Sequence, residues 1–334
     1  MRLRLLVLAA AALLIGCGDG ERSASTEFPG GVAEGATRSA SLPTMRGALE
    51  VPHRGTRKVE VFAEAEDGSA TYLAYREAVA VDASGALSLE PLGLLTEAAV
   101  DPITFELEQR SRARFLMRYR DFAVRDEALF LQNYAVKDLG PAEPIDGRAT
   151  SGLSIERRDG RRSFTLRVDD ATGLVLVAEE RGADGRLESR VSYETVSFAP
   201  AFTDVVFHRS AIREEGLAAE LATDEARIQL HRPRLLPAGY ELQEVTLLTE
   251  EDGKRWAKLT YTDGVDPLFL LQAQPALGEA PASGAVHHPE GDRVLVNARG
   301  SVLTLQARIA DFEWTLVGKL AEREALDLIE SALP

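Results

Sequence analysis

Two neighbouring carboxylates, Asp169-Asp170, are the residues whose type and spacing most directly fit acid–base chemistry, since paired acids can divide the roles of proton donor and acceptor. The run Asp169-Asp170-Ala171-Thr172-Gly173 is equally the composition of a turn, in which Asp bonds its own backbone. Asp263-Gly264 reads the same way. Metal binding would need clustered His, Asp, Glu or Cys. The histidines are His53, His208, His231, His287 and His288, and only the last two adjoin, in a Pro/Gly-rich loop where successive side chains point apart. No metal is expected. The chain has no Gly-x-Ser-x-Gly elbow and no phosphate loop, so no catalytic residue and no enzyme is expected. A different chemistry is offered by Arg110, Arg112, Arg114, Arg118 and Arg120, set among Ile103, Leu107, Phe115, Tyr119 and Phe122 near helical spacing. Arg110, Arg114, Phe115, Arg118 and Tyr119 are the candidate face for an anionic partner or ligand. The competing readings are a solvated face, with guanidinium heads wet and stems on apolar surface, and plain core packing of the aromatics.

Cys17 is the only cysteine, which leaves no internal disulfide to staple the fold. Arg2 and Arg4 precede an apolar run from Leu5 to Ile15, the marks of an export signal. The run is shorter than the roughly 20 apolar residues a membrane span needs. Leu14-Ile15-Gly16-Cys17 resembles a bacterial lipobox. That resemblance implies that Cys17 is the lipid-attachment site, bearing a diacylglycerol and an N-acyl chain, with no other cofactor. Each buried methylene contributes about 0.8 kcal/mol, and two or three chains hold firmly where one does not. Gly18 after the cysteine, in place of Asp, implies sorting to the outer membrane. The location expected is a cell-envelope lipoprotein facing the periplasm.

The chain has 334 residues, 45% hydrophobic and 27% charged, which sets two globular domains as the expectation. Its net charge is −15, and loss of residues 1–16 with Arg2 and Arg4 makes it −17. That excludes a typical nucleic-acid binder, which needs a basic face, and disfavours adhesion to an anionic bilayer. Contact with the membrane is expected through the lipid anchor alone.

Residues 17–45 are rich in Gly, Ser, Ala, Thr and Glu without apolar period, a flexible tether. From Val59 to Phe198 the pattern is strands and tight turns. Asp67-Gly68, Asp159-Gly160 and Asp184-Gly185 each separate two strand-like runs, the strongest short hairpin signal. Phe164, Leu166 and Val168 alternate with Thr165 and Arg167, and Val191 and Tyr193 repeat the pattern, which predicts an antiparallel meander. The stretch from Pro102 to Phe122 predicts a helix laid across the sheet's apolar face. Residues 209–221 predict a short helical linker, and Thr223 a helix cap. Tyr240–Leu248, Trp256–Tyr261, Val265–Gln272, Arg293–Val296, Val302–Ile309 and Phe312–Val317 read as strands. Residues 274–291 read as a loop, and Ala325, Leu328, Ile329 and Ala332 form one face of a closing helix.

Several of these pieces, in order, resemble the RseB/MucB family of periplasmic regulators of sigma-E. In the first half they are Asn133-Tyr134, Asp146-Gly147-Arg148-Ala149, Ile155-Glu156-Arg157-Arg158-Asp159, Arg162 to Asp169, Thr172 to Leu176 and Gly185 to Glu188. In the second they are Leu235-Leu236-Pro237-Ala238-Gly239-Tyr240, Leu259 to Val265, Leu268-Phe269-Leu270 and Trp314 to Gly318. Residues from Met45 to Arg125 carry no match. The resemblance implies an α+β protein: a curved antiparallel half-barrel over a helix, shaped like LolA and LolB, then a smaller α+β domain. The domain scheme expected is signal 1–16, tether 17–45, LolA/RseB-like domain 46–207, linker 208–222 and RseB-like domain 223–334. It also implies a non-enzymatic sensor or regulator whose partner is the periplasmic domain of an anti-sigma factor, with lipid or lipoprotein acyl chains as possible ligands. The alternative is a LolA/LolB-like lipoprotein or lipid carrier.

Overall fold

The computed structural model describes residues 45–64, 70–96, 120–198, 200–207, 213–217, 230–249, 253–273, 286–287, 293–299, 302–309 and 312–333. Two open antiparallel sheets of eight strands account for most of them. The signal, Cys17, the tether before Met45 and all five residues of the candidate face, Arg110, Arg114, Phe115, Arg118 and Tyr119, lie outside the described residues. So do most of the expected cross-sheet helix and the expected cap at Thr223. No helix among the described residues is long and apolar enough to cross a membrane.

The first sheet contains β1 (His53–Glu64), β2 (Ala70–Val81), β3 (Leu87–Leu94), β4 (Tyr134–Ile145), β5 (Arg148–Arg157), β6 (Arg162–Asp169), β7 (Val175–Gly182) and β8 (Leu187–Ser197). The hairpin reading holds at Asp159-Gly160 and Asp184-Gly185, where the glycines take φ of 75° and 76°, which only glycine adopts without strain, while Asp67-Gly68 lies outside the described residues. On β6, Phe164, Leu166 and Val168 are buried while Thr165 and Arg167 are partly exposed, as alternation requires. The strand order is β3-β2-β1-β8-β7-β6-β5-β4. The meander therefore returns its last strand, β8, to the first one in the chain, and two edges, β3 and β4, stay unpaired. Sequence alternation alone did not disclose that seam.

The β1–β8 seam pairs Arg54–Thr56 with Ser197–Thr195, then skips to Arg57 opposite Tyr193, a bulge. A Cβ on Gly55 would sit 2.1 Å from the carbonyl oxygen of Thr195, so the seam requires glycine there. Inward of the bulge, Arg57 is buried and pairs with Glu77 at 2.7 Å and Asp121 at 2.8 Å. Arg120 donates to the Tyr75 hydroxyl at 2.8 Å and pairs with the same Glu77. Arg120 is the one residue of the arginine run inside the described structure. It is an internal structural cation and not the wet guanidinium expected from spacing, because the facing strands supply buried carboxylates. Removing Glu77 would leave two cations sharing Asp121. Glu77→Ala is expected to cost about 3–5 kcal/mol, the typical penalty for breaking a buried pair, measured by urea unfolding.

A short helix not anticipated from sequence, α1 (Glu127–Asn133), precedes β4. Its N-cap is Asp126, whose side chain accepts from the Leu129 N–H at 2.8 Å. Leu129 and Phe130 are buried. Phe122, Phe130, Tyr134, Leu153, Ile155, Phe164, Leu166 and Val168 form one cluster, so Phe122 packs as core. The run at 169–173 is a turn: Asp169 accepts from the Thr172 N–H and hydroxyl at 2.8 and 2.7 Å and holds Arg148 at 2.6 Å, while Asp170 accepts from Ser151.

The second sheet contains β9 (Arg213–Leu217), β10 (Glu241–Thr249), β11 (Arg255–Thr262), β12 (Pro267–Ala273), β13 (Val286–His287), β14 (Arg293–Arg299), β15 (Val302–Ile309) and β16 (Phe312–Gly318). The order is β13-β14-β15-β16-β12-β11-β10-β9. The closing helix α2 (Glu322–Ala332) buries Ala325, Leu328, Ile329 and Ala332, the face expected from its period. These pack with Leu259, Leu268, Leu270, Leu305, Trp314 and Leu316 into a core of its own. Two expectations are corrected, the first being the loop expected at 274–291, which contains strand β13, with Val286 and His287 paired to Val294 and Arg293. The segment expected as a helical linker contains strand β9, whose residues 213–217 pair with Val245–Thr249. The open backbone of β10 offers a hydrogen-bonding ladder, and such tertiary pairing outweighs the modest helix propensity of a five-residue stretch.

Candidate functional site

The strongest concentration of buried polar chemistry lies where the two sheets meet. Three tight features present it: the β5–β6 hairpin, α1 with the start of β4, and the turn between β11 and β12. In that turn Asp263 accepts from the N–H groups of Val265 and Asp266 at 3.0 and 2.8 Å. Its other carboxylate oxygen faces the first sheet, accepting the Tyr134 hydroxyl at 2.7 Å and the Arg157 guanidinium. Arg157 also donates to the Ala238 carbonyl. Asn133, the last residue of α1, donates to the carbonyls of Gly239 and Asp263, both at 2.9 Å.

Beside this, Arg162 from β6 and Glu180 from β7 meet Asp266 and Lys319 from the second sheet. Arg162 donates to Asp266 and stands 3.0 Å from Glu180. Lys319 completes the ring at 2.8 Å from both carboxylates. Burial alone would push the Asp266 carboxyl up, but Lys319 and Arg162 together hold it well below the usual carboxylate range. Glu188, half-enclosed nearby on β8, is pushed up by burial. A cavity of about 20 Å³, room for one water, lies against Asp121, Phe164, Glu180, Ser189, Asp266 and Lys319.

Gly264 makes the close approach possible. Its φ is 104°, and a Cβ there would lie 2.4 Å from the backbone nitrogen of Phe130. Its carbonyl accepts from the Arg125 N–H at 2.8 Å. Across this face the apolar contribution of the second sheet to the first core is Val265, which joins the Phe122–Tyr134–Phe164 cluster.

A second concavity, of about 510 Å³, lies on the first sheet, lined by Val51, Leu153, Val168, Arg46 and the bend at 169–173. Among the described residues no group of three or more His, Cys, Asp or Glu could hold a metal. Asp263 is therefore both the turn residue that its sequence suggests and a bridging anion, a role that short-range spacing carries no sign of.

The chain is thus an α+β protein of two open antiparallel sheets, joined through a buried ion lattice and carrying a concavity of mixed polar and apolar lining on the first sheet. No family model matches the chain, and no curated protein matches it. Among solved structures it is similar to one titled "Crystal structure of MucB", 18% identical over 85% of this chain and 92% of that one, with TM-score 0.47. It is similar also to the MucA/MucB complex of Pseudomonas aeruginosa, 18% identical over 84% and 92%, TM-score 0.44. A third, MucB in complex with MucA(peri), is 17% identical over 85% and 93%, TM-score 0.45. MucB belongs to the family that the sequence pieces resemble; the fold described above rests on its own strand order and register.

Proposed function

We propose that the chain is an envelope-anchored lipoprotein that acts as a non-enzymatic sensor or regulator, binding the periplasmic domain of an anti-sigma factor. The observation behind this reading is where the family-like sequence pieces fall. Asn133-Tyr134, Arg157 and Arg162 from the first half, and Gly239-Tyr240 and Asp263-Gly264-Val265 from the second, are the residues that meet at the junction. Pieces widely separated in sequence thus serve one purpose, to set two sheets against each other. A binding module needs that fixed geometry, whereas a catalyst would need a titratable cluster open to substrate. Its test is capture of a single-span anti-sigma protein by the full-length chain under mild crosslinking in native cells. Repeated failure to recover one would end this reading. Mass spectrometry of the amino terminus tests the anchor: an unmodified Cys17 in cell-derived protein would remove it.

The carrier alternative draws on the 510 Å³ concavity, whose size lies within the range of small-molecule sites. Val51, Leu153 and Val168 are the apolar residues lining it, beside Arg46, Ser151, Asp169, Asp170 and Thr172, so an acyl ligand there would have a charged or polar head near the rim. Extraction of the purified, unlipidated protein for bound fatty acid distinguishes the two readings. A stoichiometric acyl ligand without any protein partner would favour the carrier.

A further inference from the structure

The seam between β1 and β8 contains a histidine whose two ring nitrogens are both committed. His53 is fully buried. Its Nδ1 lies 2.7 Å from the carbonyl oxygen of Val51, which can only accept, so Nδ1 carries the proton. Nε2, 2.6 Å from the Tyr193 hydroxyl, then accepts. The tyrosine oxygen in turn faces Nη1 of Arg57 at 3.5 Å, a group that only donates. This series of bonds is complete with a neutral imidazole. A proton on Nε2 would reverse the His53–Tyr193 bond, so that the Tyr193 oxygen accepts from both His53 and Arg57, its hydrogen-bonding neighbours among the described residues, and its own O–H loses its acceptor.

The charges around it leave no spare anion. Arg57 on β1 and Arg120 are balanced by Glu77 on β2 and Asp121. Tyr75 on β2 is bonded by Arg120. Glu50, in the turn before β1, is folded back onto the Gly47 N–H. Past β8, Phe198 packs against the imidazole, and Arg148, stacked over Phe198, is held by Asp169. Val81 stands opposite His53 on β2, and Val51 and Tyr193, the groups His53 bonds, belong to a buried cluster with Val79, Val81, Leu174 and Leu176. A positive charge on His53 would therefore be an uncompensated cation in an apolar enclosure.

We propose that His53 is an acid-responsive release for the β1–β8 seam: protonation takes away the acceptor of the Tyr193 hydroxyl, places a cation in the enclosure, and loosens the strand pairing that, among the described residues, joins the two halves of the first sheet. The device does not depend on the identity of any partner. Burial, aided by Arg57, lowers the affinity of His53 for a proton against the pull of Val51 and Asp121. The direction follows. An unfolded or opened chain takes up a proton below the ordinary histidine value of about 6.5, and the closed seam does not. Closure therefore weakens as pH falls below that value, until the depressed value is reached. The opening equilibrium should rise about tenfold per pH unit across the window.

Native-state hydrogen exchange on the full-length protein between pH 7.5 and 5, corrected for intrinsic rates, reads this directly. Amides of residues 54–61 and 189–197 are expected to open about tenfold more per pH unit below 6.5. His53→Gln, which can still donate to Val51 and accept from Tyr193 but does not titrate, is expected to abolish that slope. Its comparison with the parent protein also separates His53 from His231 and Glu188, which both forms retain. An equal slope in the folded variant and the parent would overturn the proposal. Should the variant not fold, the imidazole NMR titration of the parent decides alone: protonation of His53 at or above pH 6.5 overturns the proposal, and protonation below it supports it.

Discussion

Gly264→Ala is expected to unfasten the two sheets and lower stability by about 4 kcal/mol or more, a loss confined to a short set of mechanisms of which forced backbone movement is one. Two costs combine. A φ of 104° is strained for any residue with a Cβ. The added methyl would also stand 2.4 Å from the nitrogen and 2.7 Å from the Cα of Phe130. Neither is the end of a flexible side chain, so the α1 backbone must withdraw. With it go the Arg125–Gly264 bond, the Asn133 bonds to Gly239 and Asp263, and the insertion of Val265. Urea unfolding followed by far-ultraviolet circular dichroism, alongside small-angle scattering of the native state, checks this. A midpoint within experimental error of the parent would contradict the account. Gly253→Ala is a useful contrast: it also sits at positive φ, 88°, but its Cβ would meet nothing within 4 Å, so it carries the conformational cost alone.

Asp266→Ala carries the second large effect. Removing this carboxylate leaves Arg162 and Lys319 sharing Glu180, three side chains of which two bear like charge in a buried site. The expected cost is about 3–5 kcal/mol, because the penalty is the stranded cations and not only the lost bond. A double-mutant cycle distinguishes these. Asp266→Ala together with Lys319→Ala should be less damaging than the sum of the two single changes, since the second removes one stranded charge. Additivity would show that the ring is not energetically coupled. The same carboxylate has a pH signature. Asp266, Glu77 and Asp121 bind protons less readily folded than unfolded: burial opposes this, but the guanidinium and ammonium groups beside them prevail. Their contribution is complete above the ordinary carboxylate range and is lost as pH falls below it. Acid unfolding of the parent should therefore steepen below about pH 4, and Asp266→Ala should flatten that limb. It is distinct from the His53 effect, which begins near neutrality and leaves the second sheet unaffected.

The surfaces of the two sheets would both be wettable if parted. Arg157, Arg162 and Glu180 are on the first and Asp263, Asp266 and Lys319 on the second, so each face carries charges of both signs. Interfaces of this polar kind resemble transient ones more than a divided core.

Local periodicity determined a large part of this protein. Alternation on β6, the Asp-Gly turns at Gly160 and Gly185, and the one-sided period of α2 were legible because each is decided within a few residues by φ preference and the pleat. The turn at 169–173 was legible for the same reason. What only the tertiary structure decided is of longer range. The return of β8 to β1 joins residues about 140 apart, and strand pairing at that separation leaves no periodic trace. Strand β9 lies in a segment whose own composition favours helix, and it takes its form from the free edge of β10. The polar junction was hidden for a further reason. Arg157, Arg162, Asp263, Asp266 and Lys319 read as ordinary surface charges one at a time; their chemistry exists only after two turns, over 100 residues apart, are brought within hydrogen-bond distance.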